Sequence, residues 1–215
     1  MPRTTLPPIY PILDSGAGPW PALGLTAAAA ALVEGGARIL QVRHKGHWSR
    51  DIFAQARETA ALCRQAGAVL IIDDRADIAA LLGAGLHVGQ DDLAPADARR
   101  IVGSSAVVGF STHNPEQLRA AAGEPVDYLA LGPIFPTASK RDPDPVVGLE
   151  QLRSCRSTIA GPLVAIGGIT RANAHQVWAA GADSVAVIGD FITEPCTAAS
   201  LRRRMEEWLQ SAPPM

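Results

Sequence analysis

Gln41, Arg43 and Lys45 stand at alternate positions in the segment Gln-Val-Arg-His-Lys. In an extended strand, alternate residues point to the same side, so these three side chains would face one way. A planar guanidinium fork, a compact ammonium and an amide donor together suit a polyanionic ligand such as a diphosphate. The plainer interpretation is a solvated strand end, but a buried strand seldom directs charges inward without a function.

Two pairs of acidic residues follow the next two apolar segments of the chain. The pairs are Asp73-Asp74 and Asp91-Asp92. Magnesium in proteins takes one or two carboxylates together with phosphate oxygens of the substrate and water. One carboxylate from each pair, beside the cationic segment, therefore predicts a Mg²⁺–diphosphate site. The alternatives are structural: the first pair could bind Arg75, and the second could cap the following helix.

Glycines at the ends of two later apolar segments predict a second anion site. Gly167 and Gly168 precede an expected helix, and Gly189 follows Val187-Ile188. Glycine lets backbone N–H groups approach a ligand closely, and a helix N-terminus favours an anion. Glycine also serves tight turns. The prediction of an anion site therefore depends more on where these glycines stand, after the last two apolar runs, than on their residue type.

Hydroxyl and lysine side chains lie along the chain between these two anion sites. They are Ser111 and the members of the segment Thr137-Ala-Ser139-Lys140. Two phosphorylated reactants that meet at one opening indicate a transferase. The sequence contains no HExxH zinc motif and nothing that resembles a Ser/His/Asp triad. The histidines are most simply structural: His87 is expected to pack inside a strand, and His113 to orient its loop.

Eight short apolar runs position these residues, and most are followed by a stretch that can be helical. The runs are 9–14, 37–43, 69–74, 86–90, 107–111, 128–132, 163–168 and 185–189. Continuous apolar runs are typical of parallel strands that helices cover on both faces. The expected helices include 21–35, 49–67 with Ser49 as N-cap, 170–180 and 194–210. We predict an α/β fold, a (β/α)₈ TIM barrel; an open doubly wound sheet is the alternative.

Size and composition restrict the classes of function. The 215 residues, 47% of them hydrophobic, suit one domain over 1–215, with 211–215 as a frayed tail. A net charge of −2 gives no global field for nucleic acid or an anionic membrane. Three scattered cysteines and no long apolar run favour a cytoplasmic protein that acts on small molecules. A homo-oligomer is possible.

With these residues identified, the chain resembles the thiamine phosphate synthase family, which also includes the thiazole tautomerases. The resemblance spans nearly the whole chain and is specific in the combination and order of its motifs. The motifs are Gln41-Val-Arg-His-Lys45, Asp73-Asp74, His87-Val-Gly-Gln-Asp-Asp92, Gly109-Phe-Ser-Thr-His113, Gly132-Pro-Ile-Phe-Pro-Thr137, Ala165-Ile-Gly-Gly-Ile169 and Val187-Ile188.

The resemblance implies that a pyrimidine methyl diphosphate is joined to a thiazole ethyl phosphate, with release of diphosphate and formation of thiamine monophosphate. Carried over by position, the contacts to the pyrimidine diphosphate come from Gln41, Arg43, Lys45, Ser111 and Lys140. Asp74 and Asp92 hold Mg²⁺. The residues that line the thiazole phosphate site are Thr137, Ser139, Gly168, Ile188 and Gly189. Lys140, Arg43, Lys45 and Ser111 carry the catalysis, a dissociative substitution without a protein nucleophile.

The chain departs from the family pattern at two site positions. The family usually has Asn where this chain has Asp73, which we expect to be a substrate-binding residue; the added carboxylate could repel diphosphate or take more metal. It usually has Ser where this chain has Gly189, so one hydrogen bond to phosphate is lost. A thiazole tautomerase is the nearest alternative, but its histidine after strand six is replaced by Pro133. A catalytically weak phosphate-binding protein is the second alternative.

Overall fold

The computed structural model describes residues 6–16, 20–137 and 144–214. Eight parallel strands form a closed barrel in chain order, because each pairs with the next and the last pairs with the first. The strands are β1 (Ile9–Asp14), β2 (Ile39–Arg43), β3 (Val69–Asp73), β4 (Gly85–Val88), β5 (Val108–Thr112), β6 (Tyr128–Leu131), β7 (Leu163–Ile166) and β8 (Ser184–Val187). The predicted TIM barrel is confirmed, and the open sheet is excluded.

Strand residues alternate between two separate apolar cores. One side of each strand packs against helices in the larger core, which includes Ile9, Leu13, Leu40 and Ile72. The other side fills the barrel interior, as Ile12 and Ile71 do. Because both faces are buried, the strands are apolar throughout, and a polar residue on the inner face is conspicuous.

The helices differ from the sequence prediction mainly in where they begin. They are α1 (Trp20–Leu23), α2 (Leu25–Glu34), α3 (Arg50–Gln65), α4 (Ala76–Leu82), α5 (Pro95–Val102), α6 (Pro115–Ala120), α7 (Gly148–Arg156), α8 (Ala174–Ala179) and α9 (Ala198–Ser211). Ser49 caps α3 as predicted, accepting from the Ile52 N–H at 3.3 Å. Within the described ranges, no helix is both long and apolar enough to cross a membrane.

Three predicted helices differ from the structure for local reasons: one is interrupted, and two begin later than expected. Gly24, with φ of 83°, separates α1 from α2 where one helix was expected. The Asn173 side chain accepts from the Thr170 N–H at 2.8 Å, and the resulting turn delays α8 to Ala174. A capping box between Thr197 and Ser200 begins α9 at Ala198 instead of at 194.

Two arginine–aspartate pairs stabilise the end of the barrel where the strands begin. Asp127 accepts from the Val108 N–H at 2.7 Å and pairs with Arg99. Asp183 repeats the arrangement with the Leu163 N–H at 2.8 Å and pairs with Arg156. In each case one carboxylate links the first residue of a strand to a helix. These contacts lie at the amino ends of the strands, whereas sites in barrels of this kind lie at the carboxyl ends.

Candidate active site

A cavity of about 470 Å³ opens at the carboxyl ends of the strands. Its walls include every residue that the sequence assigned to a site and that the structure describes. They are Gln41, Arg43, Lys45, Asp73, Asp74, Asp92, Ser111, Thr137, Gly168, Ile188 and Gly189. Ser139 and Lys140, also assigned to the site, lie outside the described residues. Stretches of chain up to about 150 residues apart therefore meet at a single opening.

Arg43 is held between two buried carboxylates. The β1–β2 register sets Asp14 opposite Arg43, and the guanidinium donates to the Asp14 carboxylate. The Nε atom of Arg43 also lies 3.5 Å from Oδ2 of Asp73. Because both acids are nearly inaccessible, the guanidinium plane is positioned before any ligand binds.

Lys45 continues this network toward the solvent. Its Nζ atom lies 3.1 Å from Oδ2 of Asp73 and also pairs with Asp74. Partial burial alone would lower the pKa of Lys45, but the two carboxylates raise it above its ordinary value. Burial raises the pKa of Asp73, against the opposing effect of Lys45 and Arg43. The ammonium is thus charged and anchored at the rim.

Asp74 and Asp92 bring two carboxylates together across the β3 and β4 ends. Asp74 is, among the described residues, the one non-glycine with a positive φ, at 60°, a conformation that aspartate tolerates. Partial burial raises the pKa of Asp92, and the nearby Asp74 raises it further, although the Gly89 N–H, 2.7 Å from Oδ2 of Asp92, lowers it. Asp92, and not Asp91, lines the cavity.

The Asp74–Asp92 pair fits the donor set of a magnesium ion that arrives with phosphate. In the described part of the chain, no three His, Cys, Asp or Glu side chains are arranged to hold a metal by themselves. Mg²⁺ does not need such a cage, since it usually takes one or two carboxylates and completes its shell with substrate oxygens and water. A bound cation would relieve the repulsion between two neighbouring carboxylates.

Both structural alternatives for these acids are wrong. Arg75 forms its ion pair with Asp77, its Nε donating to Oδ1 at 2.8 Å, and does not use the carboxylates that precede it. The N-cap of α5 is Ala94, and no side chain caps that helix. The acids that face the cavity are therefore not accounted for by helix capping or by a neighbouring arginine.

The β7–β8 side of the cavity is built from backbone. Gly167 and Gly168 have φ values of 98° and 63°. A Cβ atom at Gly168 would lie 2.4 Å from the Pro136 carbonyl oxygen, so this glycine also lets the loops after β6 and β7 pack closely. Gly189 differs, because a Cβ atom there meets nothing within 4 Å.

Several cavity residues were missed or were given another role by the sequence analysis. Tyr10, Tyr128 and His87 line the cavity from the barrel interior. Tyr10 could have been found, because strand alternation places it on the same side as Ile12 and Asp14. Tyr128 begins an apolar run and carried no such signal. His113 fits its expected role, since its Nδ1 lies 3.2 Å from the Gly132 carbonyl and 3.4 Å from Asp144.

The family model described as thiamine monophosphate synthase matches residues 9–191. The chain belongs to the thiamine monophosphate synthase family. A thiamine-phosphate synthase of Koribacter versatilis is 52% identical over 209 residues, which cover 95% of each chain. One of Laribacter hongkongensis is 42% identical over 180 residues, covering 83% of this chain and 85% of the relative.

A solved structure supports the thiamine monophosphate synthase assignment independently. The thiamine phosphate pyrophosphorylase of Pyrococcus furiosus superposes with a TM-score of 0.80 at 31% identity, covering 94% of each chain. The family expected from the sequence motifs is therefore confirmed, as is the TIM-barrel fold expected for it.

Proposed function

We propose that this protein is a thiamine phosphate synthase, a transferase that couples an aminopyrimidine methyl diphosphate to a thiazole ethyl phosphate. The products are thiamine monophosphate and diphosphate. The observation that carries the proposal is the single cavity that joins a charged wall at β2–β4 to a glycine wall at β7–β8. The high identity to named synthases over nearly the whole chain supports the same reaction.

The charged wall suits the diphosphate end of the pyrimidine substrate. Arg43 and Lys45 supply cations that are already positioned by carboxylates. We assign Gln41, Ser111 and Lys140 to the same substrate, and Asp73 to the border of its site. The glycine wall suits the monophosphate of the thiazole, with Thr137, Ser139, Gly168, Ile188 and Gly189 around it.

We assign Mg²⁺ to Asp74 and Asp92. The described charged residues that line this wall are Arg43, Lys45, Asp73, Asp74 and Asp92, so their formal charge is −1. A wall with excess negative charge does not attract a diphosphate without an added cation. When bound, the metal would neutralise charge on the diphosphate oxygens.

We assign the rest of the catalysis to protein groups that position the two substrates and stabilise the charge that develops on the leaving diphosphate. As diphosphate departs, negative charge grows on its bridging oxygen, and the fixed Arg43 and Lys45 groups stabilise that charge. Apolar residues such as Ile12, Val164 and Ile166 line the cavity between the walls. They would hold the two heterocycles in contact and exclude water from the reactive pyrimidine carbon until the thiazole nitrogen attacks it.

The decisive experiment incubates the protein with both phosphorylated precursors and Mg²⁺ and analyses the products by mass spectrometry. Formation of thiamine monophosphate supports the proposal. Isomerised thiazole phosphate would instead identify a tautomerase, and recovery of both precursors with measurable binding would identify a phosphate-ligand binder.

We place the reaction in the cytoplasm, where phosphorylated precursors are retained. The three cysteines, Cys63, Cys155 and Cys196, are free thiols, in keeping with a reducing compartment. Self-association of the chain stays a prediction, which sedimentation analysis would test.

A further inference from the structure

Five polar side chains form a continuous hydrogen-bond chain through the barrel interior. Gln41 donates from Nε2 to the Tyr10 hydroxyl at 3.0 Å, and the Tyr10 and Tyr128 hydroxyls lie 2.9 Å apart. The Tyr128 hydroxyl is 2.9 Å from Nδ1 of His87, and Nε2 of His87 is 2.7 Å from Oγ of Ser111. We call these five residues the relay. It links β2, β1, β6, β4 and β5.

Burial at the centre of the barrel makes the tyrosine hydroxyls costly, which argues against a purely packing role. Tyr10 and Tyr128 are both 1% exposed, and phenylalanine would fill the same volume without a polar atom. Gly109 on β5 makes room for the second ring, because a Cβ atom there would lie 2.0 Å from Cζ of Tyr128. The Tyr128 ring also stacks on His87, with centroids 5.6 Å apart.

The donor at one end sets the direction of every proton in the relay. The Gln41 amide nitrogen can only donate, so the single proton of Tyr10 is directed to Tyr128. The single proton of Tyr128 is then directed to Nδ1 of His87. A neutral imidazole that accepts at Nδ1 carries its proton on Nε2 and donates it to Ser111. Burial raises the pKa of both tyrosines, which keeps both hydroxyls protonated at neutral pH.

We propose that the relay is a positioning device: it holds neutral His87 with its proton on Nε2, so that the Ser111 hydroxyl proton points to the ligand in the cavity. This inference rests on the proposed function in that the ligand is a diphosphate. Tyr10, Tyr128 and His87 act through Ser111 and are positioning residues. The cost of burying them is offset by a preformed donor that needs no reorientation on binding.

The test is Tyr128→Phe, which removes the link to His87 while keeping the ring. In mildly alkaline buffer, ¹⁵N NMR of histidine-labelled wild-type protein should show His87 with its proton on Nε2. In the variant, the tautomer should become mixed, and kcat/KM should fall about tenfold with an unchanged KM for the thiazole phosphate, since one oriented hydrogen bond contributes roughly 1–1.5 kcal/mol. A wild-type proton on Nδ1, or an unchanged tautomer and rate in the variant, would overturn the proposal.

Two further variants separate the relay from a general loss of packing. Thr112→Val removes a buried hydroxyl from the same strand as Ser111, where it donates to the Ala130 carbonyl at 2.8 Å, and should leave the His87 tautomer unchanged. Tyr10→Phe should make the tautomer mixed, as Tyr128→Phe does, because it separates Tyr128 from the Gln41 donor that directs its proton. A tautomer change in Thr112→Val, or an unchanged tautomer in Tyr10→Phe, would contradict the assigned direction.

A binding measurement keeps this inference separate from the proposed synthase activity. Calorimetry with inorganic diphosphate and Mg²⁺ should show several-fold weaker binding to Tyr128→Phe and unchanged binding to Thr112→Val. The three proteins could show this binding pattern while the wild-type protein forms no thiamine monophosphate. In that case the relay stands and the proposed reaction fails. Equal binding to both variants would reject the relay.

Discussion

The two walls of the cavity would bind phosphate groups by different means, according to the proposed assignment. The β2–β4 wall uses charged side chains that are locked to one another, as Arg43 is to Asp14 and Asp73. The β7–β8 wall presents backbone at Gly168 and Gly189, and its charged lining residue among those described, Asp190, is already paired with Arg171 and Arg204. A site built from interlocked side chains loses several interactions when one is removed. A site built largely from backbone is affected most by changes that move or crowd the main chain.

The largest effect is expected for Arg43→Ala on the charged wall. Loss of the guanidinium removes the proposed diphosphate contact and leaves the buried Asp14 carboxylate without a cationic partner, so kcat/KM should fall by about 1,000-fold, or roughly 4 kcal/mol. Steady-state kinetics and thermal unfolding would be measured together. Arg43→Lys, which keeps the charge, should restore stability more than activity. Unchanged turnover in the alanine variant would refute the diphosphate assignment.

Removal of the metal or of its carboxylate should have the next largest effect. Chelation should abolish coupling, and Asp74→Ala should lower kcat/KM by about 100-fold, since loss of one carboxylate weakens binding of the metal that would neutralise charge on the diphosphate. Asp91→Ala is the matched control, because Asp91 is adjacent in sequence to Asp92 but is not among the described residues that line the cavity. Synthesis that persists after chelation would contradict the magnesium assignment.

Gly168→Ala tests the backbone wall by crowding it. The new methyl would meet the Pro136 carbonyl, and φ at this position is 63°. The KM for the thiazole phosphate should rise by about tenfold and stability should fall by about 1–2 kcal/mol. Gly161→Ala, where a Cβ atom has open space, should change neither. A rise in the KM for the pyrimidine diphosphate alone would show that the two walls are assigned in the wrong order.

Asp73→Asn tests whether the charge of Asp73 on the charged wall is needed for activity. The amide oxygen can take the place of the carboxylate oxygen that faces Lys45 and Arg43, while the formal charge of the wall becomes less negative. Activity should be unchanged or higher, and the free energy of unfolding should fall by about 1 kcal/mol as the ion pairs weaken. A large loss of activity would show that this carboxylate has a catalytic role of its own.

Gly189→Ser should have the smallest effect and is expected to improve the enzyme. The cavity has space for the side chain, and its hydroxyl could donate to the thiazole phosphate. The KM for that substrate should fall by about threefold, within the usual contribution of one hydrogen bond. The KM for the pyrimidine diphosphate serves as the internal control. A higher KM for the thiazole phosphate would place its phosphate elsewhere.

Much of this site could be predicted from local pattern alone. Apolar runs identified the strands, and alternation placed Gln41, Arg43 and Lys45 on one side, because a strand repeats every two residues whatever surrounds it. Closure of the barrel then required the strand ends to converge. The cavity and the family followed from these features and from motif order.

The opposing partners of these residues were decided by the folded barrel. Inter-strand register set Asp14 against Arg43, and the barrel interior joined Tyr10 to Tyr128 and His87 across strands far apart in sequence. Loop conformation placed Asp92 in the cavity in preference to Asp91 and delayed α8 to Ala174. A sequence shows which way a side chain points along its own strand, but which group it meets depends on how neighbouring strands are aligned, and that alignment arises only when the whole barrel packs.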